Sequence, residues 1–238
     1  MEPELHPAIA SQRPRVKICC IADRAERDLA IAAGAAAVGL VSAMPSGPGV
    51  IGDDLIRDLA GGVPPGVDAF LLTSRTSADE IIAQARAARP HVLQIVEPIS
   101  VAIRARVRAA LPGVRIVQVL HVGSDDAVRE ARDLAREADA LLLDSGNVFA
   151  GAASAEGSHR ELGGTGRVHD WSVSRRVRDA LDIPIFLAGG LHPENVAEAI
   201  ARVRPYGVDV CSGVRTMGRL DPARLARFVA ASSGSTVA

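Results

Sequence analysis

Two side chains in this sequence combine an acid-base group with a position at the end of an apolar run. Cys19 closes Val16-Lys-Ile-Cys19, and Asp144 closes Leu141-Leu-Leu-Asp144. A thiolate is basic enough to take a proton beside a carbonyl or imine. A carboxyl at the end of an apolar strand can hold a proton through desolvation and give it away. Together they would serve a reaction made of proton transfers. The blander readings are a cysteine acting as a small buried hydrophobe and an aspartate capping a turn.

The last third of the chain supplies a ligand-holding feature. Three glycine turns follow one another: Gly163-Gly164-Thr165-Gly166, Leu187-Ala-Gly189-Gly190-Leu191 and Val208-Asp-Val-Cys-Ser212-Gly213-Val214. Glycine lets the main chain come close to a ligand and adopt positive φ, so N–H groups at such turns can converge on a phosphate. Turns after the seventh and eighth strands of a β/α barrel often do this.

The elements that would position these groups alternate regularly. Apolar runs at 15–21, 37–41, 68–72, 92–95, 115–120, 140–144, 183–188 and 208–211 read as eight buried strands. Amphipathic, alanine-rich stretches lie between them; one has Pro193 in its first turn and Val196, Ala199, Ile200 and Val203 along one face. The pattern predicts a single (β/α)₈ TIM barrel over 15–230, an N-terminal extension over 1–14 and a disordered tail over 231–238, with order ending near Val229. A doubly wound open sheet is the rival, but the first strand-helix turn, Cys19-Cys-Ile-Ala-Asp-Arg24, lacks GxGxxG. The long stretch 145–162 reads as a flap over the barrel mouth or as disorder.

Composition excludes other classes. The 238 residues carry a formal charge of −1 and only 3% aromatic residues, so neither nucleic acid nor an anionic membrane surface is an expected partner. Three cysteines without CxxC spacing suit a reducing cytoplasm. His159, His169 and His192 show no ligand spacing with a carboxylate, so no metal is expected. Trp171 is expected to pack at a helix start. The arginines at 104, 106, 108, 175, 176 and 178 read as solvated helix faces.

In order from about residue 15 to 229, these blocks resemble phosphoribosylanthranilate isomerase: Val16-Lys-Ile-Cys19, Leu-Leu-Leu-Asp144, Gly163-Gly-Thr-Gly166 with Asp170-Trp-Ser172, Leu187-Ala-Gly-Gly-Leu191 with Pro193-Glu-Asn-Val196, and Pro205-Tyr-Gly-Val-Asp-Val210 with Ser212-Gly-Val214. The resemblance implies a β/α barrel and an Amadori rearrangement of N-(5-phosphoribosyl)anthranilate in tryptophan synthesis. It implies Asp144 as general acid and Cys19 as general base, with no cofactor. Gly164, Thr165, Gly166, Gly189, Gly190, Ser212 and Gly213 would hold the phosphate, Lys17 would sit in the substrate site beside the cysteine, and Asp209 would contact sugar hydroxyls.

The N-terminal half departs from that family. Where the family carries an arginine for the anthranilate carboxylate, this chain reads Ala43-Met-Pro-Ser-Gly-Pro48-Gly49, and proline cannot replace a bidentate partner. Gln94-Ile-Val-Glu-Pro98 replaces a Gln-Leu-His-Gly-Asp stretch, His121 takes the strand-five arginine position, and Cys20 stands where glycine is common. Three readings follow. In the first, the chain is a divergent isomerase in which His121 or Arg75 meets the carboxylate. In the second, it works the same chemistry on another phosphorylated aminosugar without that carboxylate. The third is a non-catalytic phosphate binder. The expected partner is thus a small phosphorylated aminosugar, and the expected assembly a monomer or homodimer.

Overall fold

The computed structural model describes residues 13–45, 47–123, 126–145 and 170–234. Eight parallel strands close into a barrel: β1 (Arg15–Ile18), β2 (Ala37–Val41), β3 (Asp68–Thr73), β4 (Val92–Ile95), β5 (Arg115–His121), β6 (Ala140–Asp144), β7 (Ile185–Leu187) and β8 (Gly207–Val210). Each strand lies beside its neighbours in sequence, and β8 returns to β1 with Lys17 opposite Asp209 and Ile18 opposite Val210. The helices are α1 (Arg24–Ala32), α2 (Asp53–Gly61), α3 (Ala78–Ala88), α4 (Val101–Ala110), α5 (Ala127–Ala135), α6 (Trp171–Asp179), α7 (Val196–Val203) and α8 (Pro222–Ser232). Among the described residues no helix is long and apolar enough to cross a membrane.

Strand alternation sorts the apolar residues into two layers. Val38, Leu40, Leu71, Leu93, Ile116 and Leu141 pack outward with the helices. Ala37, Val41, Phe70, Val119, Leu142 and Phe186 fill the barrel lumen. This is why the strands read as continuous apolar runs: both faces are buried. The lumen floor is aromatic, with Phe186 edge-on to Phe70 at 5.8 Å and to Tyr206 at 5.5 Å between centroids. An edge-to-face arrangement suits the ring quadrupoles.

Several expected boundaries shift. β1 ends at Ile18, so Cys19 lies just beyond the strand and not in it; its N–H still bonds the Val210 carbonyl at 2.8 Å. β7 is three residues long, since Pro184 carries no N–H for the ladder. α7 starts at Val196 behind the N-cap Asn195, which leaves Pro193 in the preceding turn. The expected end of order near Val229 is also corrected: α8 continues to Ser232, whose buried hydroxyl bonds the Phe228 carbonyl at 2.8 Å.

Among the arginines expected on solvated faces, Arg104 is 1% exposed. Its guanidinium bonds the carbonyls of Ile99, Asp133 and Arg136 and so fastens α4 to the end of α5. Trp171 is buried at the start of α6, as expected.

Candidate active site

The strand ends converge on a cavity of about 710 Å³, its open mouth included, at the carboxyl end of the barrel. Cys19 and Asp144 both line it, from beyond β1 and from the end of β6, with β7 and β8 between them. So do Gly189, Gly190, Ser212 and Asp209. Opposite them stands an apolar wall that includes Val41, Met44, Leu72 and Val96, with the buried Gln94 among its members.

Cys19 is held by backbone on both sides. Its N–H is tied to β8 at Val210, and its carbonyl accepts from Arg215 Nη2 at 3.2 Å. The thiol rests over β2, where Gly39 leaves space: a Cβ there would lie 2.8 Å from Cys19 Sγ and 3.2 Å from Lys17 Nζ. Asp144 ends β6 half-buried, with Oδ1 accepting from the Ser145 N–H at 2.8 Å.

Lys17 points into the lumen beneath the thiol, fully buried, with Nζ 2.8 Å from Asp209 Oδ2 and 5.2 Å from the Phe70 ring centroid. Burial alone would lower the pKa of its ammonium. The attraction of Asp209, aided by Cys19, outweighs that and raises it, so Lys17 stays charged. The other oxygen, Asp209 Oδ1, is buried without a hydrogen-bond partner among the described residues. An orphaned carboxylate oxygen in a cavity wall is a ready acceptor for a ligand hydroxyl.

The β7 and β8 turns present main chain to the cavity. Gly189 (φ +84°) and Gly190 (φ +64°) are both left-handed, and a side chain at 189 would collide with Ser145. Asn195 secures this turn, donating from Nδ2 to the Gly190 carbonyl at 2.9 Å and accepting from the His192 N–H at 2.8 Å. Ser212 and Gly213 lie in a 3₁₀ turn after β8, with Gly213 against the Leu191 carbonyl. Among the described residues none accepts a hydrogen bond from the N–H groups of Gly189, Gly190, Ser212 or Gly213. Such donors suit an anion.

Other expected site residues fall elsewhere. His121 ends β5 in register with Asp144 and does not line the cavity, and neither does Arg75, which lies beyond β3. Pro48 does line it. Gly164, Thr165, Gly166, His159, His169 and the stretch 146–162 lie outside the described residues.

Sequence reasoning missed a buried clamp on the cysteine loop. Arg215 Nη2 bonds the Cys20 carbonyl at 2.6 Å as well as that of Cys19, while Nη1 bonds Glu26 Oε1 at 2.9 Å and the Gly218 carbonyl at 3.0 Å. Glu26 also accepts from the N–H groups of Ala22 and Leu220. Burial opposes charge on both partners, yet the pairing raises the pKa of Arg215 and lowers that of Glu26. The clamp steadies Cys20 at φ +62°, a conformation that costs a residue with a Cβ about 1–2 kcal/mol. Glycine at the corresponding family position was the available signal for that backbone; nothing in the local pattern announced the arginine.

A closed parallel barrel whose acid-base side chains and glycine turns share one cavity at the strand carboxyl ends is the layout of a β/α-barrel enzyme. The family model for N-(5'-phosphoribosyl)anthranilate (PRA) isomerase matches residues 72–231. The N-(5'-phosphoribosyl)anthranilate isomerase of Methanothrix thermoacetophila is 39% identical over 90% of this chain and 96% of its own. The structure of the Pyrococcus furiosus enzyme of that name superimposes with a TM-score of 0.76 at 26% identity, covering 93% of this chain and 99% of its own. A phosphoribosyl anthranilate isomerase in complex with reduced 1-(o-carboxyphenylamino)-1-deoxyribulose 5-phosphate superimposes with a TM-score of 0.74 at 26% identity, over 93% and 99% of the two chains. The chain belongs to the N-(5'-phosphoribosyl)anthranilate isomerase family.

Proposed function

We propose that this chain converts N-(5'-phosphoribosyl)anthranilate to 1-(o-carboxyphenylamino)-1-deoxyribulose 5-phosphate, with Asp144 as general acid and Cys19 as general base. The observation that carries the reading is that these two groups share one cavity with the β7 and β8 turns, whose N–H groups have no acceptor among the described residues. Asp144 protonates the ribose ring oxygen, and the nitrogen lone pair opens the ring to an imine protonated on nitrogen. The Cys19 thiolate takes the C2′ proton, giving an enolamine that tautomerises to the ketone. Every step moves a proton, so the side chains suffice.

The phosphate is held by the N–H groups of Gly189, Gly190, Ser212 and Gly213, together with Gly164, Thr165 and Gly166, which lie outside the described residues. Asp209 Oδ1 accepts from a sugar hydroxyl. Lys17 holds Asp209 in place and lends positive charge beneath the thiol. Binding at the phosphate end positions carbons that react elsewhere in the cavity. The apolar wall of Val41, Met44, Leu72 and Val96 receives the arene.

The test is a fluorescence assay that follows loss of freshly made phosphoribosylanthranilate, with Cys19→Ala as control. Turnover at a kcat/KM of about 10⁴ M⁻¹s⁻¹ or more, abolished by the substitution, supports the reading. No turnover from folded protein that still binds a ribulose-phosphate analogue transfers the same chemistry to an aminosugar without the carboxylate, in keeping with Pro48 on the cavity wall.

A further inference from the structure

Cys20 and Cys211 take no part in the reaction above, yet the fold presses them together. Parallel pairing of Ile18 with Val210 brings the ends of β1 and β8 side by side, and there the two Sγ atoms lie 2.7 Å apart as free thiols. That is well inside ordinary contact between non-bonded sulfurs. Cys20 also occupies a left-handed backbone position where glycine would be free of strain.

We propose that Cys20 and Cys211 form an oxidisable thiol pair, a modification site for small hydroperoxides, which closes to a disulfide and leaves Cys19 as the free thiol. A disulfide holds its sulfurs about 2.05 Å apart, so closure needs a movement of well under an ångström. Both residues line the cavity, and Cys211 is partly exposed, which admits a small oxidant.

The surroundings assign roles to the two sulfurs. Hydrogen bonding with Cys19 and Cys211, together with burial, pushes the Cys20 thiol up. The hydrogen bond shared with Cys20, opposed by burial and reinforced by the Arg215 cation, brings the Cys211 thiol down. Cys211, the more exposed sulfur of the pair and the one beside the Arg215 cation, is therefore the one that attacks as the thiolate. Its sulfur displaces hydroxide from the peroxide O–O bond and becomes a sulfenic acid. The Cys20 thiol then attacks that sulfur, the S–S bond forms and water leaves. Two thiols lose two electrons and two protons, and one peroxide becomes two waters.

The competing linkage is Cys19 to Cys20, since all three sulfurs cluster. Geometry disfavours it. Among the described residues no peptide bond is cis, and neighbouring Cα atoms across a trans peptide stand about 3.8 Å apart, short of the roughly 4.4–6.8 Å that disulfides span. Cys19 Sγ is moreover turned toward Gly39.

The experiment treats the reduced full-length protein with one equivalent of hydrogen peroxide, blocks remaining thiols with iodoacetamide and maps tryptic peptides. The expected result is a loss of two hydrogens, reversed by dithiothreitol, with peptide 18–24 joined to peptide 203–215. The link is expected to persist in Cys19→Ser and to vanish in Cys20→Gly, a variant whose new residue suits the left-handed backbone. In Cys20→Gly, dimedone should trap the sulfenic acid on Cys211. A link confined to peptide 18–24, a link that survives Cys20→Gly, or oxidation of Cys19 in preference to Cys211 would overturn the proposal. None of these readouts depends on the isomerase reaction.

Discussion

Lys17 and Asp209 face each other across the seam that closes the barrel, Nζ to Oδ2 at 2.8 Å, in register on β1 and β8 and directly below the Cys19 thiol. One buried pair thus joins the first strand to the last, and its Asp209 lines the cavity. Removing one partner of such a pair leaves a bare buried charge and costs about 3–5 kcal/mol. Lys17→Met and Asp209→Asn are each expected to lower the urea midpoint accordingly. The double change Lys17→Met with Asp209→Leu should recover part of that stability but no turnover. Urea melts and initial rates on the same samples check both halves.

Cys19→Ala and Asp144→Asn are each expected to cut kcat at least about 100-fold, the lower range for loss of a general acid or base. Circular dichroism should show the barrel unchanged. Wild-type rates in either variant would refute the assignment.

Gly39 keeps the floor of the site open for the thiol and the ammonium, both of which a Cβ would crowd. Gly39→Ala should destabilise the protein by about 1–3 kcal/mol, as overpacking does. Because the displaced atom is the sulfur proposed as the base, kcat should fall more than affinity for a phosphosugar product analogue. Calorimetric titration beside steady-state kinetics separates the two.

Gly189→Val removes a left-handed glycine and collides with Ser145 at the turn assigned to the phosphate. Inorganic phosphate should then compete far more weakly for the site. Unchanged competition would locate the phosphate elsewhere.

The pairing with Arg215 holds the Glu26 carboxyl below its ordinary value of 4.5, against the opposing effect of burial. A group with a depressed folded pKa stabilises the fold above its unfolded pKa and loses that contribution as pH falls through the folded value. Stability should therefore decline as pH drops below about 4.5, and Glu26→Gln should be less stable at pH 7 but show a shallower acid decline. Denaturation midpoints between pH 3 and 7 report this directly.

By itself the sequence determined the barrel and the order of its strands, and it brought Cys19 and Asp144 forward as candidates, because those features are written locally. Buried parallel strands appear as apolar runs, and their last residues are where barrel chemistry sits. The β7 and β8 turns were legible for the same reason, since glycine marks backbone that other residues resist. Only the tertiary structure decided what depends on distant partners. Arg215 lies 189 residues from Glu26, and Cys211 lies 191 residues from Cys20; neither separation leaves a periodic trace. Arg104 read as solvated because its charge is visible in sequence, whereas the carbonyls that satisfy it at the ends of two helices are not. His121 was assigned to the site because it takes the family's strand-five arginine position, but which strand-end side chains reach the cavity is set by barrel closure. Alternation along one chain is a local property, while the meeting of β1 with β8 is made only when the sheet closes on itself.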